Sequence, residues 1–241
     1  MVVAPAGCGK TEALALRVAG LIERGVGGGG KRILVSTFSN RARDNIRDRM
    51  RAYLPTGTLR DRVTVTNFHG LSARIVRAHA RTIGLDPEIT LPESDWVGEQ
   101  CRRWGWGWGQ IGPAAQALKT AKQQALDDVA VERLLLDMGA SGAVELERER
   151  LLQHRLTYDD LPRLAELLLT NESVASLYRN HFDAVVVDEF QDLTPQQYES
   201  CRQLVTARRR TPAIWLKEST ALRALTRQPL MQPSGPSVRR W

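Results

Sequence analysis

Along the first third of the chain, short apolar runs alternate with stretches in which apolar residues recur every three or four positions. Met1–Val3 reads as the end of a strand. Glu12–Arg24 reads as a helix, with Leu14, Val18, Leu21 and Ile22 spaced close to the helical period of about 3.6. Gly25–Gly30 is a glycine-rich turn, Ile33–Phe38 a short apolar β-rich run, and Asn40–Tyr53 an arginine-rich helix. Val63–Phe68 is a further strand, followed by a helix around Leu71–Arg81. Strand, loop and helix repeated three times predict a parallel α/β sheet. Residues 85–156 break the pattern: they read as helical and acidic, with no clear strand, and Trp104, Trp106 and Trp108 alternate with Gly105, Gly107 and Gly109. Val185–Val187 then returns as a buried strand that ends in Asp188 and Glu189. After about Arg210 neither period holds, and Pro212, Pro229, Pro233 and Pro236 interrupt the chain.

Composition narrows the class. In 241 residues, 42% are hydrophobic and 25% charged, the balance of a soluble globular chain. No apolar run is long enough to cross a membrane, and the apolar N-terminus runs into a Gly/Lys loop rather than a cleavage site. The cytoplasm is the expected location, with no membrane partner. Cys8, Cys101 and Cys201 are odd in number and far apart, which argues for isolated thiols rather than a disulfide or zinc framework. The net charge of +7 is uneven: +10 over residues 1–84, −11 over 85–201 and +8 over 202–241. The basic first third suits a phosphate-bearing partner. Of the basic residues, 29 are Arg and 5 are Lys, so coding bias is a competing source of the arginines.

Two motifs carry candidate chemistry. The loop Ala4, Pro5, Ala6, Gly7, Cys8, Gly9, Lys10 and Thr11 fits a Walker A pattern in which Ala4 replaces the first glycine. Between a strand and a helix, such a loop surrounds phosphates with backbone N–H groups at a helix N-terminus. Gly7 and Gly9 permit the close approach. Lys10 is the candidate for reaching the β- and γ-phosphates, and Thr11 for holding Mg²⁺. The second motif is the apolar run Asp183–Val187 followed by Asp188-Glu-Phe-Gln-Asp192. Here Asp188 is the candidate Mg²⁺ ligand and Glu189 the group that polarises the attacking water. The bland alternatives are a glycine loop and an acidic turn after a core strand; together on one parallel sheet, the motifs favour ATP and Mg²⁺.

Asp188–Asp192 resembles the DExQD box of the UvrD/Rep-type superfamily 1 DNA helicases. Ala4–Thr11 fits that family's Walker A, and Ile33–Ala42 resembles its TFTNKAA-like motif Ia, with Ser39 and Arg41 as departures. Thr66-Asn-Phe-His-Gly70 resembles its TFHG box, with Asn67 where Thr is usual, and Tyr158-Asp-Asp-Leu161 is also similar to a family motif. The resemblance covers about residues 1–205. It implies a RecA-like P-loop NTPase fold: a parallel sheet flanked by helices, with a helical insertion like the family's 1B subdomain and an irregular C-terminal tail. The implied division is 1–84 and 157–207 for the RecA-like domain, 85–156 for the insertion and 208–241 for the tail. It further implies a motor with two RecA-like domains, ATP between them and single-stranded DNA across both. On the DNA side, Phe38 and Phe68 become candidates for stacking on bases, and Asn40, Arg41 and His69 for polar contacts. Gln191 and Asp192 become candidates for coupling. The competing reading puts both phenylalanines in the core at strand ends and makes His69 an ordinary loop histidine. The Trp104–Trp108 segment is read as helix-packing aromatics in preference to a base-stacking platform.

The family's upstream glutamine motif, its motif III and its second RecA-like domain have no counterpart string in the sequence. The expectation is therefore a motor domain that is incomplete alone, needing a second domain in cis or in trans. Residues from about 208 are expected to stem from a truncation or a shifted reading frame. The alternative is a nucleotide- and DNA-binding remnant, or a gene fragment without function.

Overall fold

The computed structural model describes residues 10–86, 88, 95–205 and 214–216, apart from the side chains of Lys10 and of 214–216. Residues 1–9, which hold most of the candidate phosphate loop and the expected strand end at Met1–Val3, lie outside the described residues. The first half runs α1 (Lys10–Glu23), β1 (Arg32–Thr37), α2 (Asn40–Arg51), α3 (Thr56–Arg62), β2 (Val63–Asn67) and α4 (Phe68–His79). The helices α5 (Trp96–Arg103), α6 (Trp108–Ala121), α7 (Asp128–Asp137) and α8 (Ser141–Leu152) follow. The chain closes with α9 (Asp160–Thr170), α10 (Glu172–His181), β3 (Phe182–Val187), α11 (Pro195–Gln203) and β4 (Ile214–Leu216). No described helix is long and apolar enough to cross a membrane.

The strands form a four-stranded sheet in the order β2-β1-β3-β4, parallel throughout. Side chains on a strand alternate between faces, and the cores divide accordingly. Ile33, Val35, Val63, Val65, Ala184 and Val186 pack with Ala15 and Val18 of α1 and Ile46 and Met50 of α2. On the opposite face, Leu34, Val185 and Val187 pack with Ile75 of α4, Leu164 and Leu168 of α9, and Cys201 of α11. Both faces are covered, which is why the strands read as continuous apolar runs rather than alternating ones. Each fully buried Val, Leu or Ile contributes about 1.5–3 kcal/mol. α5 to α8 enclose a separate core that includes Cys101, Leu118, Val131, Leu135 and Leu146. Cys101 and Cys201 are free, buried thiols.

Local chemistry explains several boundaries. Phe68 opens α4 rather than closing β2, because Asn67 caps that helix: its Oδ1 accepts from the Gly70 backbone N–H at 2.6 Å. The glycine turn before β1 holds Gly25, Gly27, Gly29 and Gly30 at positive φ. It is pinned at Gly27, whose N–H donates to Asp183 Oδ2 at 3.0 Å and whose carbonyl accepts from Arg62 Nε at 2.9 Å. The Trp-Gly segment is three environments rather than one. Trp104 ends α5, Trp106 lies against Gly142, and Trp108 begins α6 with 89% of its surface exposed. The packing role therefore fits Trp106, while Trp108 packs on little. Ile214–Leu216, in the stretch expected to be irregular, forms a strand. Three apolar residues are too few to show a period, and the strand owes its existence to parallel pairing with Val185–Val187.

Candidate nucleotide and DNA site

The parallel strands point their C-terminal ends the same way, so the loops after β1, β2 and β3 gather at one edge of the sheet. That is where open α/β sheets bind ligands. α1 starts at Lys10, directly after the glycine loop, so its N-terminus carries the positive end of the helix dipole toward that loop. Thr11 is half-buried in the first turn. Of the phosphate-loop candidates, Ala4 to Gly9 and the Lys10 side chain lie outside the described residues.

β3 delivers the acidic pair. Asp188 is buried, and its backbone N–H donates to the Ser36 carbonyl at 2.9 Å, which extends the β1–β3 ladder one step beyond the strand. The Asp188 backbone is thereby fixed at the strand end. Glu189 takes φ 52° and ψ 49°, a left-handed conformation that non-glycine residues adopt rarely. Such strain costs about 1–3 kcal/mol and persists where the surrounding structure imposes it, most often at functional sites. A short 3₁₀ turn, Phe190–Asp192, follows. Phe190 is buried and meets Tyr198 edge-on with ring centroids 6.0 Å apart. Gln191 Nε2 donates to Glu189 Oε2 at 2.5 Å and lies 3.4 Å from Asp192 Oδ2. The glutamine thus holds both flanking carboxylates in one arrangement. Carboxylate and hydroxyl oxygens are hard donors of the kind Mg²⁺ prefers, so Asp188 and Thr11 suit that ion. The buried Ser36 Oγ has no hydrogen-bond partner among the described residues.

The DNA candidates divide. Phe38 is half-buried and Phe68 buried, with ring centroids 5.3 Å apart, and both pack on the core under α4 and α9. Phe68, 4% exposed, has the core role that the competing reading gave it. Asn40, Arg41 and His69 are exposed. Asn40 Oδ1 accepts from Asn67 Nδ2 at 2.8 Å, so the loop after β1 and the loop after β2 are joined side chain to side chain. His69 lies edge-on to Tyr158 with ring centroids 5.8 Å apart. Gly70 leaves room for this arrangement: a Cβ there would stand 2.8 Å from Asn67 Oδ1.

Behind the DEFQD box lies a feature that sequence reading missed. Asp160 of the Tyr158–Leu161 motif is fully buried at the centre of a six-charge cluster. Lys122 Nζ lies 2.9 Å from Asp160 Oδ1 and 2.8 Å from Glu147 Oε2. Arg163 Nη2 bridges Asp160 at 2.7 Å and Asp128 at 2.6 Å. Arg150 Nη2 bridges Glu147 at 2.6 Å and Asp128 at 2.8 Å. Asp160 Oδ2 also accepts from both the backbone N–H and the hydroxyl of Thr157 at 2.7 Å. Burial alone would raise the Asp160 pKa, but Lys122, Arg150, Arg163 and the Thr157 hydroxyl hold it well below the usual carboxylate range. The carboxylates of Asp128, Glu147 and Asp160 converge within 4.8 Å, as metal ligands would. Three cations already balance their three charges, so the cluster is a structural brace. It joins α6, α7 and α8 to α9. Gln196 of α11 then donates to the Lys122 carbonyl at 3.0 Å, linking the helix after the DEFQD box to the same brace.

A parallel sheet with a helix starting at Lys10 and an Asp–Glu pair at the end of β3 defines a RecA-like P-loop domain. Comparison with known proteins gives the family. The chain belongs to the UvrD/REP helicase N-terminal domain family, which it matches over residues 1–214. It is 32% identical over 221 residues to the ATP-dependent DNA helicase UvrD1 of Mycobacterium tuberculosis, covering 85% of this chain and 28% of that protein. It is 28% identical over 213 residues to the ATP-dependent DNA helicase PcrA of Leuconostoc citreum, covering 82% of this chain and 28% of that protein. To the ATP-dependent DNA helicase Rep of Escherichia coli it is 27% identical over 231 residues, covering 87% of this chain and 32% of that protein. The chain thus spans less than a third of the length of these relatives.

Proposed function

We propose that this domain binds ATP with Mg²⁺ on the Ala4–Thr11 loop and serves the motor of a DNA helicase, coupling hydrolysis to movement along single-stranded DNA in the cytoplasm. The observation that carries the reading is the Asp188–Glu189 pair. The first residue is buried with its backbone locked by the β1–β3 ladder, and the next is held in a strained left-handed turn. Lys10 neutralises charge on the β- and γ-phosphates. Thr11 and Asp188 hold Mg²⁺, which supplies charge stabilisation on the phosphate oxygens when bound. Glu189, oriented by Gln191, accepts a proton from the attacking water. Asn40, Arg41 and His69 contact the DNA, and Phe38, less buried than Phe68, is the aromatic that can meet a base. Gln191 and Asp192 couple the two sites through the turn they share with Glu189.

The three relatives are each an ATP-dependent DNA helicase, which supports the same reading. Arginine fingers supply about 10³–10⁵-fold in phosphoryl transfer, and translocation requires two domains that close and open. Full motor activity therefore needs a second RecA-like domain, in cis or in trans. The test is ATP hydrolysis with and without single-stranded DNA, comparing the wild-type chain with Glu189→Gln, alone and after adding a family C-terminal motor half. Stimulated turnover that Glu189→Gln removes supports the reading. Turnover indifferent to Glu189 refutes it.

A further inference from the structure

Five arginines from four elements converge on a cavity of about 390 Å³ along the outer edge of β2. They are Arg32 of β1, Arg47 and Arg51 of α2, Arg60 of α3 and Arg74 of α4, and no acidic residue lines the cavity. Arg32 forms its fixed wall: its guanidinium donates to the Asp61 and Val63 carbonyls and to the Thr64 hydroxyl at 2.7–2.8 Å. The others are exposed. Arg51 pairs with Asp48 and Arg60 with Asp61, while Arg47 donates to the Val65 carbonyl at 3.5 Å and is near Asp44, which is bonded to Arg43. Arg74 has no ion pair among the described residues, and it also lines an adjoining cavity of about 290 Å³ with Arg77, three residues on along the same face of α4. The two cavities share Arg74 and make one basic track.

A cationic sheet edge can serve simply to block edge-to-edge pairing. That device places charges on the strand itself. Here β2 is Val-Thr-Val-Thr-Asn, and the charges come from β1 and the flanking helices and enclose a cavity. The four exposed guanidinium groups around this concave surface, on which no carboxylate opens, match phosphate oxygens, which Arg forks bind in pairs. The extension of the track past Arg74 to Arg77 matches a chain of phosphates better than one small anion. The track runs from the first residues of β1 and β2, the far end of the strands from Asn40 and His69, up to Val65, about 7 Å along β2 from Asn67.

We propose that this edge is a second nucleic-acid contact, which holds the phosphodiester backbone of a DNA strand through Arg47, Arg51, Arg60, Arg74 and Arg77. It rests on the DNA-binding reading above but is separate from the residues that reading uses. The contact neutralises backbone charge without reading bases, so it adds affinity and salt dependence and no sequence preference.

The test is the salt dependence of binding to labelled single-stranded oligonucleotides, for the wild-type chain, for Arg47→Gln/Arg74→Gln/Arg77→Gln and for Arg41→Gln. Each phosphate contact on single-stranded DNA contributes about 0.7 to the slope of log affinity against log salt. The triple variant is therefore expected to lower the slope by about 2, and Arg41→Gln by about 0.7. The three substituted residues are exposed, and an unchanged melting temperature shows that the fold persists; the three single variants replace the triple if it does not. A triple variant that keeps the wild-type slope overturns the second contact while leaving the DNA reading intact. A wild-type chain that binds no DNA overturns both. Binding of inorganic pyrophosphate that the triple variant abolishes, with DNA binding unchanged, overturns the backbone assignment in favour of a small-anion site.

Discussion

Replacing Asp160 with Asn removes one of three carboxylates from a buried cluster that is neutral only because it also holds three cations. The substitution keeps the shape, so no cavity term enters. Lys122, Arg150 and Arg163 are then left with Glu147 and Asp128 alone, and one positive charge is buried without compensation. Breaking a buried pair from one side costs about 3–5 kcal/mol, because the remaining charge keeps its desolvation penalty. For a domain of this size, about 2–4 °C of melting temperature is lost per kcal/mol, so the midpoint is expected to fall by about 6–20 °C. Urea unfolding followed by circular dichroism measures the same change as a shift in midpoint at constant slope. The exposed Arg51–Asp48 pair supplies the control, since Asp48→Asn is expected to leave the midpoint where it was. A loss under about 1 kcal/mol for Asp160→Asn would rule out a dry, mutually dependent cluster, since its charges would then be screened by water.

The same cluster sets an acid limit. The folded-state pKa of Asp160 lies well below its unfolded value, so its stabilisation is complete above about pH 4 and is lost as pH falls toward the depressed value. Urea midpoints between neutral and acid pH should therefore drop more steeply in the wild-type chain than in Asp160→Asn; parallel curves would contradict this. Asn67→Ala removes the cap of α4 and the bond to Asn40 together. It is expected to cost about 1 kcal/mol in urea unfolding and to weaken DNA binding beyond what Asn40→Ala does; an unchanged urea midpoint would show that α4 is capped by other means.

Much of this architecture could be read from periodicity. Leu14, Val18, Leu21 and Ile22 mark a helix because all four pack on one sheet core, and Ile33–Val35 marks a strand because both its faces are covered. Elements that owe their existence to distant partners were not legible. β4 is three residues long and exists through its pairing with β3. α3 has one buried apolar residue, Leu59, and so offers no stripe to detect. At the site, Asp188 and Glu189 were readable as a strand-end pair, but the left-handed turn at Glu189 has no glycine to announce it. Asp160 looked like one acidic residue in a recognisable motif. Its role depends on Lys122, 38 residues earlier, which sequence order does not bring near it. Asn67 looked like a departure from the expected Thr and is a good helix cap in its own right. The arginines of the β2 edge were visible only as an excess of charge, because four separate elements contribute them.

In the proposed mechanism, the loop before α1 and the end of β3 form one nucleotide site. Thermal melting of the wild-type chain and of Lys10→Ala, with and without Mg-ATP, tests it most directly. Ligand at about a hundredfold over its dissociation constant adds about 2.7 kcal/mol, or about 5–11 °C in a domain of this size. That shift is expected for the wild-type chain and none for Lys10→Ala. No shift in the wild-type chain, or an equal shift in both, would contradict it.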